Sequence, residues 1–297
     1  MKFGIIANTT KPALQEIIGD LLAYLHSRNL QVVLTKELTE WCEMHFDKTS
    51  LSHVLVCNEN DFVLRADMII ALGGDGTMLS TARLVGSRGK PILGINLGKL
   101  GFLAEVSIEE THQCIDDIVQ NNYVLEERMV LEAKSLSDNE LFYALNEIVI
   151  DKGALPRVIE LETHVDNDYM VTYSADGIIM NTPTGSTAYS LASGGPIVHP
   201  ACNVITINPV APHTLTARPV IVPDTSEIKV TVKSTGHFAH ITADGQVEKF
   251  YDTPAEFIVR KADYTIKLVK RKQRTYYDLL RTKLQWGKDI RTQRTSS

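Results

Sequence analysis

The spacing of apolar residues changes once along the chain, near residue 125, and this change constrains the fold more than any other feature. Before it, short apolar runs typical of buried strands alternate with segments whose apolar residues recur every three or four positions, the spacing of one helix face. Strands are predicted at 2–7, 31–35, 68–72 and 91–96, and helices at 12–29, 78–85 and 109–121. This strand–helix–strand order predicts a mostly parallel sheet covered by helices.

After residue 125 the helical spacing disappears, and short β-rich runs recur between turn residues. In the run 159–165, Ile, Leu, Thr and Val alternate with Glu, Glu and His, which is the two-residue period of a strand. Further strands are predicted at 145–150, 178–180, 204–207, 228–232, 238–242 and 264–269. This part of the chain is therefore predicted to be an all-β sandwich.

The predicted fold class is thus α/β plus all-β. A Rossmann-like α/β domain is expected over 1–125 and a β-sandwich domain over 126–274. Helical spacing returns at Tyr276, Leu279, Leu280 and Leu284. Residues 275–297 are therefore expected to form a C-terminal helix that returns to the first domain and packs on it.

Charge and composition exclude several classes of protein. The formal net charge is −6. The chain therefore lacks the excess of basic residues with which nucleic-acid-binding proteins neutralise phosphates, and no nucleic-acid partner is expected. No apolar run approaches the roughly 20 residues that cross a bilayer, so no membrane association is expected. The N-terminus shows no signal-peptide pattern, which favours the cytoplasm.

Cysteines and histidines give no sign of a metal site. The four cysteines are Cys42, Cys57, Cys114 and Cys202. Because they are widely scattered, we expect reduced thiols, mostly in the core, rather than a zinc site or disulfides. His237 and His240 are interpreted as ordinary strand histidines, since no third ligand stands at a recognisable spacing.

Residues 73–77, Gly-Gly-Asp-Gly-Thr, stand where a predicted strand meets a predicted helix, and we call them the glycine turn. The glycines allow a phosphate to approach the backbone closely, and the helix N-terminus favours an anion. Asp75 would oppose phosphate binding, so its presence indicates chemistry on a hydroxyl or a metal. The alternative is a tight turn with a capping Asp. The spacing matches neither the G-x-G-x-x-G nor the Walker pattern.

A second segment, residues 176–196, is dense in small polar residues. Hydroxyls and backbone amides at this density suit ribose and phosphate oxygens, and Tyr189 would lie against a base or a ribose. On composition alone, such a stretch is more often an ordinary loop.

Four motifs follow one another along the chain. They are the glycine turn, Asn146-Glu147, Asp176-Gly177 and Thr-Pro-Thr-Gly-Ser-Thr-Ala-Tyr-Ser at 182–190, which we call the TPT loop. Together they resemble the NAD kinase family in its bacterial form, over most of the chain. The glycine turn alone is shared with diacylglycerol-type lipid kinases and other relatives, whereas the TPT loop is specific to NAD kinases.

The resemblance implies an enzyme that transfers the γ-phosphate of ATP to the 2′-hydroxyl of the adenosine ribose of NAD, giving NADP. It also implies two domains, a divalent metal cation, expected to be Mg²⁺, and a homo-oligomer, commonly a tetramer. The partners are then the small molecules NAD and ATP. The alternatives are a lipid or other small-alcohol kinase that shares the glycine turn, and a non-catalytic NAD-binding regulator.

Residue roles come from the same resemblance. Asp75 would be the general base. The phosphates and the metal-nucleotide would be held by Gly73, Gly74, Gly76 and Thr77. The residues implied to bind NAD are Asp75, Gly76, Asn146, Glu147, Arg157, Ser174, Asp176, Thr184, Thr187, Ala188, Tyr189, Ser190, Leu191, Ala192, Ala211 and Gln246.

Several of these residues have a simpler interpretation when taken alone. Asn146-Glu147 would be a polar strand end, Asp176 would open an Asp-Gly turn, and Arg157 would be a surface arginine. The stretch 244–246, Asp-Gly-Gln, predicts a hairpin turn between neighbouring strands, and only the resemblance adds a ligand contact for Gln246.

Position 174 departs from the family pattern. Family members often carry Arg or Lys two residues before the Asp-Gly motif, but this chain has Ser174 there. A serine hydroxyl forms hydrogen bonds but supplies no charge. This part of the site is therefore expected to be weaker or to be served by another residue.

Overall fold

The computed structural model of the protein describes residues 1–47, 51, 53–98, 100–154, 157–236, 238–271 and 275–286. Its strands are β1 (Lys2–Ala7), β2 (Gln31–Thr35), β3 (Val54–Cys57), β4 (Met68–Gly73), β5 (Ile92–Asn96), β6 (Val124–Ser135), β7 (Leu141–Ala144), β8 (Glu147–Asp151), β9 (Ile159–Val165), β10 (Asp168–Ala175), β11 (Gly177–Asn181), β12 (Val204–Val210), β13 (Val220–Pro223), β14 (Ile228–Lys233), β15 (Phe238–Ala243), β16 (Val247–Asp252) and β17 (Ala255–Lys270). Its helices are α1 (Leu14–Ser27), α2 (Lys36–His45), α3 (Glu59–Arg65), α4 (Asp75–Val85), α5 (Thr111–Val119), α6 (Tyr189–Ala192) and α7 (Tyr276–Leu284).

The residues group into two compact units. The first comprises Met1–Thr81, Lys90–Glu126 and Lys267–Ser297, and the second comprises Ala82–Gly89 and Glu127–Ile266. Both units are discontinuous in sequence, and the long strand β17 contributes residues to each. The domain limits predicted from the sequence, 1–125 and 126–274, stay a prediction.

The first unit contains a parallel sheet. Strands β5, β4, β1, β2 and β3 lie side by side in this order and run in the same direction. The end of β17 pairs with β5, again in parallel, with Leu268 opposite Ile92. The α/β architecture predicted for this part of the chain is confirmed.

Helix α1 shows how the apolar spacing builds this unit. The predicted face is buried, and its members are Leu14, Ile17, Ile18, Leu21, Leu22 and Leu25. Most of these side chains join one core cluster with the sheet residues Phe3, Ile5 and Val32. Since burying one such side chain stabilises a fold by about 1.5–3 kcal/mol, this face is sufficient to hold α1 on the sheet.

The sequence does not predict α2, β3 or α3, which fill the interval between β2 and β4. Strand β3 has four residues and lies at the edge of the sheet. Leu55 and Val56 on it are exposed. A short edge strand lacks the fully buried apolar run by which β1 and β4 are recognised.

The second unit is built from antiparallel strands. One sheet has the order β13-β12-β11-β8-β15-β16. In the other, β10, β9, β14 and β17 follow one another, β6 pairs with β17, and β7 pairs with β6. Side chains from both sheets, among them Ile178, Leu161 and Val230, join one buried cluster. The all-β character predicted for this part of the chain is confirmed.

Helix α7 begins with a capping box, in which Thr275 Oγ1 accepts a hydrogen bond from Asp278 N, and the Asp278 carboxylate accepts one from Thr275 N. Leu279 and Leu280 on this helix are buried. Packing of the C-terminal segment on the first domain stays a prediction, and residues 287–297 of that segment lie outside the described part of the chain.

The four cysteines are unpaired, as predicted. Cys42, Cys57 and Cys114 are buried, whereas Cys202 is exposed. Within the described ranges, no helix has the length and apolar character needed to cross a membrane.

Candidate functional site

The glycine turn joins β4 to α4, at the carboxyl end of a parallel strand. Because β4 lies between β1 and β5, and all three strands run in the same direction, the loops after them emerge at one edge of the sheet. Asn8 N donates to Leu72 O at 3.0 Å, and Leu97 N donates to Gly73 O at 3.1 Å. Open α/β sheets bind ligands at this edge.

The Asp75 carboxylate is held by the loop after β5. Its Oδ2 accepts a hydrogen bond from Phe102 N at 2.9 Å. Its Oδ1 accepts from Leu103 N at 2.9 Å and from Ala104 N at 3.3 Å. Asp75 is the first residue of α4, but its carboxylate binds the backbone of residues 102–104.

This loop fits the carboxylate only because residue 101 is glycine. A Cβ atom on Gly101 would lie 2.0 Å from Asp75 Oδ1, far inside van der Waals contact. This loop was not predicted, and its one signal in the sequence is Gly101, which interrupts the apolar run of residues 100–104. An ionised carboxylate has about four acceptor positions, so three N–H donors leave one for a hydroxyl.

A cavity of about 390 Å³ adjoins the glycine turn. It is lined by Ile6, Ala7, Asn8, Lys11, Gly74, Gly76, Thr77 and Ser80. From the sequence, the polar residues 8–10 were interpreted as the start of a helix and not as part of a binding site. Lys11 was not predicted as a binding residue. An ammonium group beside a helix N-terminus makes this cavity suitable for an anion.

Asn146 and Glu147 lie at the break between β7 and β8. They are held there by Asp244, which lies in the turn between β15 and β16. The Asp244 carboxylate accepts hydrogen bonds from Leu145 N at 2.9 Å, Asn146 N at 2.7 Å and Glu147 N at 3.1 Å. The predicted hairpin at 244–246 is confirmed, with positive φ at Asp244 and Gly245. The function of the Asp244 side chain was missed.

Glu147 is a buried acid, with 7% of its surface exposed. Burial, reinforced by the negative charge of Asp244, raises the pKa of its carboxyl to about 8, although a hydrogen bond from the Tyr189 backbone acts in the opposite direction. Among the described residues, Glu147 Oε2 has no hydrogen-bond partner. At neutral pH this side chain is therefore mainly protonated.

The TPT loop is built on the same break between β7 and β8. Thr182 N donates to Asn146 O at 2.9 Å. Thr182 Oγ1 donates to Leu145 O at 2.6 Å and accepts from Gly185 N at 3.1 Å. A Cβ atom on Gly185 would lie 2.1 Å from Asn146 O, so only glycine fits there.

Hydroxyls inside the TPT loop hold its shape. The buried Ser186 Oγ donates to Pro183 O at 2.6 Å and accepts from Val198 N at 3.0 Å. The buried Ser190 Oγ accepts a hydrogen bond from Asn208 Nδ2 at 3.3 Å.

Thr184 is also buried, and its hydroxyl accepts from Nη1 of the buried Arg128 at 3.1 Å. The sequence analysis missed Arg128. The surface is reached, fully or in part, by the loop residues Thr187, Ala188 and Tyr189 and by Leu191 and Ala192, which follow the loop. The predicted binding residues of this segment thus fall into two sets: Thr184 and Ser190 are buried, and the others are at least partly exposed.

A larger cavity, of about 750 Å³, lies in the second unit and brings together three predicted residues, Arg157, Ser174 and Asp176. Its other lining residues are Val158, Glu160, His213, Lys233, Ser234 and Thr235. Asp176 Oδ1 forms an ion pair with Lys152 Nζ at 2.7 Å. Positive charge is therefore present around Ser174, although Ser174 itself supplies none.

The predicted residues fall into separate groups. The glycine-turn residues lie in the first unit. In the second unit, Asn146 and Glu147 lie beside the TPT loop, whereas Arg157, Ser174 and Asp176 lie around the larger cavity. Ala211 stands in the loop after β12 with a φ of 45°, and Gln246 Oε1 accepts from Arg83 Nη1 at 3.0 Å.

Of the two histidines predicted as strand residues, His240 lies on β15. His240 Nδ1 lies 3.0 Å from Asp151 Oδ1, and His240 Nε2 lies 3.1 Å from Glu248 Oε2. His237 lies outside the described residues. Within the described ranges, no group of three or more His, Cys, Asp or Glu side chains is arranged to hold a metal ion.

Comparison with known proteins gives the same family over both parts of the chain. Residues 3–123 match the family model of the ATP-NAD kinase N-terminal domain, and residues 145–271 match that of the ATP-NAD kinase C-terminal domain. The NAD kinase of Bacteroides fragilis is 42% identical over 98% of this chain and 100% of its own length. That of Geobacter sulfurreducens is 40% identical over 96% of this chain and 99% of its own length.

A solved structure agrees with these relatives. The crystal structure of yeast NADH kinase in complex with NADH matches with a TM-score of 0.90 and 26% identity. The match covers 98% of this chain and 89% of the yeast chain.

The contact between Gly101 and Asp75 predicts that Gly101→Ala destabilises the protein. The added Cβ must displace the Asp75 carboxylate or its loop, and overpacking of this kind costs about 1–3 kcal/mol. Urea denaturation measures the change in the free energy of unfolding. Gly98→Ala is the matched control, because a Cβ atom there meets nothing within 4 Å, so its effect is expected to stay within about 0.5 kcal/mol. Equal stability of the two variants would contradict this contact.

Proposed function

Because this chain belongs to the NAD kinase family, we propose that Asp75 is the general base of its reaction. The enzyme transfers the γ-phosphate of ATP to the 2′-hydroxyl of the adenosine ribose of NAD and so produces NADP. One observation supports this role: the carboxylate of Asp75, at the start of α4, is held by three backbone N–H groups of residues 102–104 and keeps one acceptor position for a hydroxyl.

In the proposed step, the ribose 2′-hydroxyl donates a hydrogen bond to Asp75. As its oxygen bonds to the γ-phosphorus, the bond from that phosphorus to the β–γ bridging oxygen breaks, ADP leaves, and the hydroxyl proton passes to Asp75. In a loose phosphoryl-transfer transition state the attacking oxygen has formed little of its new bond. A weak base such as a carboxylate, held in a fixed position, is therefore sufficient to orient the hydroxyl and accept its proton. General-base catalysis contributes a factor of about 10²–10⁴.

The phosphates of ATP are assigned to the cavity beside the glycine turn. Backbone N–H groups of Gly74, Gly76 and Thr77 and the positive end of α4 favour an anion there. Gly73 ends β4 and sets the direction of this turn. Lys11 adds the ammonium that the glycine turn lacks.

We assign the divalent cation, expected to be Mg²⁺, to the substrate MgATP. Mg²⁺ in such sites is bound largely by substrate phosphates and water, with one or two protein carboxylates, and neutralises charge on the transferred group. Within the described part of the chain, the lining of the phosphate cavity contains no carboxylate, so the substrate phosphates and water would supply most of the ligands of this cation.

NAD is assigned to the groups of residues in the second unit. Asn146 and Glu147 present polar side chains next to the TPT loop. Tyr189 is 46% exposed and offers an aromatic face to a base or a ribose. The surface residues Thr187, Ala188, Leu191 and Ala192 complete this region. Thr184 and Ser190 support it from inside the loop.

The larger cavity supports the remaining contacts to NAD, through Arg157, Ser174 and Asp176. We propose that Lys233, which lines the same cavity, supplies the positive charge that Ser174 lacks. Ala211 and Gln246 stay proposed contacts on the strength of the family resemblance.

We further propose a homo-oligomer, with a tetramer as the expected form, that works in the cytoplasm. Edge strand β13 carries the exposed side chains Val220 and Ile221, an apolar edge suited to contact with another copy. The unpaired cysteines support a reducing compartment.

Light scattering tests the oligomer. The expected mass of the purified protein is about four times the chain mass of 33.0 kDa. A mass of one chain at micromolar concentration would overturn the proposal.

Asp75→Asn tests the general base. The amide cannot accept the proton, so kcat is expected to fall about 100-fold or more, while NAD binding stays within a few-fold of wild type. Formation of NADP from NAD and MgATP measures kcat, and calorimetry measures NAD binding. Near-normal turnover would refute the assignment, whereas NAD binding without any turnover in the wild type would instead indicate a non-catalytic NAD-binding protein.

Lys11→Met tests the phosphate site. Loss of one charged hydrogen-bond donor is expected to raise KM for ATP about tenfold and to leave KM for NAD within about twofold. Lys36→Met is the matched control, since Lys36 is an exposed lysine on α2 of the same unit and does not line the cavity. A rise in KM for NAD alone would place Lys11 outside the donor site.

A further inference from the structure

Asp244 is a partly buried acid that the proposed reaction does not use. It occupies a left-handed conformation, with a φ of 53°, in the turn between β15 and β16. Glycine or asparagine satisfies such a turn without placing a charge there. The turn alone does not require a carboxylate. The Asp244 carboxylate instead accepts three hydrogen bonds from the backbone of residues 145–147.

Residues 145–147 have every backbone group paired. Asp244 takes the three N–H groups. Thr182 takes the carbonyls of Leu145 and Asn146, and Asp244 N donates to Glu147 O at 3.0 Å. With six backbone groups bonded, the backbone from which the Asn146 and Glu147 side chains project is held in place. Four of the six bonds come from Asp244.

The same contacts extend to the TPT loop. Thr182 bonds to the backbone that Asp244 holds, and Gly185 lies against Asn146 O with no room for a Cβ atom. A shift of residues 145–147 must therefore move this loop.

Asp244 also acts on Glu147 through its charge. Burial raises the pKa of the Asp244 carboxyl, and its three N–H donors act in the opposite direction by stabilising the ionised form. Glu147 has fewer hydrogen-bond donors and, within the described residues, one oxygen without a partner. Of the two carboxyls, Glu147 holds the proton, and it can donate a hydrogen bond to a ligand oxygen.

Other charged and titratable groups lie close to this pair. Arg83, Tyr143 and Tyr264 line a small space together with Asp244. Burial raises the pKa of Tyr264 to about 12 and also raises that of Tyr143, so both phenols stay neutral. Neither phenol therefore changes charge in the pH range in which Glu147 ionises.

We propose that Asp244 is a positioning residue of the NAD site, which fixes the backbone of Asn146 and Glu147 in the orientation that binds NAD and places its own charge near the Glu147 carboxyl. This rests on the proposed assignment of NAD to these residues. Asp244 itself need not touch the substrate.

Asp244→Asn and Asp244→Ala test the fixed backbone. The asparagine oxygen can still accept from Asn146 N and Glu147 N, but its NH₂ group faces Leu145 N, whereas alanine removes all three acceptor contacts. KM for NAD is expected to rise about tenfold for Asn and further for Ala, with KM for ATP within about twofold. Asp252→Asn, at the exposed end of the same hairpin, is expected to match wild type.

The pH dependence of NAD binding tests the charge effect. Calorimetric titration with NAD alone, from pH 6 to 9.5, is expected to show wild-type affinity falling above about pH 8, as Glu147 ionises and loses its donor. Asp244→Asn removes the neighbouring negative charge, so this fall is expected to move to lower pH. Glu147→Gln cannot ionise and is expected to show no such fall. A purely structural role for Asp244 would weaken binding without moving the fall.

The outcomes separate this inference from the proposed function. An unchanged KM for NAD in Asp244→Asn, or a fall in affinity at the same pH as in wild type, overturns the inference. If Asp244→Ala does not fold, the comparison of Asp244→Asn with Asp252→Asn still decides it. Failure of the wild type to form NADP would overturn the proposed function, but the binding titrations need no turnover and judge Asp244 in either case.

Discussion

A carboxylate that accepts hydrogen bonds from three consecutive backbone N–H groups organises the candidate region of each unit. Asp75 holds residues 102–104 in the first unit, and Asp244 holds residues 145–147 in the second. Loops of this kind cannot pair their N–H groups within a sheet or a helix, and unpaired buried N–H groups cost about 1–3 kcal/mol each. Removing either acid would therefore release a loop as well as a charge, so the shape of both regions depends on these two side chains.

How far the sequence predicts this arrangement depends on how local each feature is. The buried face of α1 and the position of the glycine turn follow from residues a few places apart, and both are confirmed. The hairpin at 244–246 is equally local. The partners of its Asp244 side chain lie 97 to 99 residues earlier in the chain, and the partners of Asp75 lie 27 to 29 residues later. No periodicity or turn rule connects such positions, so these contacts become visible only in the folded chain.

The TPT loop illustrates a second limit of sequence reasoning. Its Thr and Ser residues look alike in sequence, yet the buried hydroxyls of Ser186 and Ser190 bond to protein groups on Pro183, Val198 and Asn208, while Thr187 lies nearer the surface. Hydroxyl content therefore indicates that a segment is polar, but not which hydroxyls remain for a ligand. Loss of activity on mutation of Ser186 would report a collapsed loop rather than a lost contact.

The distribution of thiols offers a practical handle on these loops. Burial raises the pKa of Cys42 and of Cys114 to about 11 and also raises that of Cys57. Since the thiolate is the reactive form, these three side chains react slowly with maleimides, whereas the exposed Cys202 is open to them. Cys202 precedes β12, the strand that carries Asn208 beneath the TPT loop. The native chain thus provides one attachment point for a fluorophore, through which movements of this region can be followed without engineering a new cysteine.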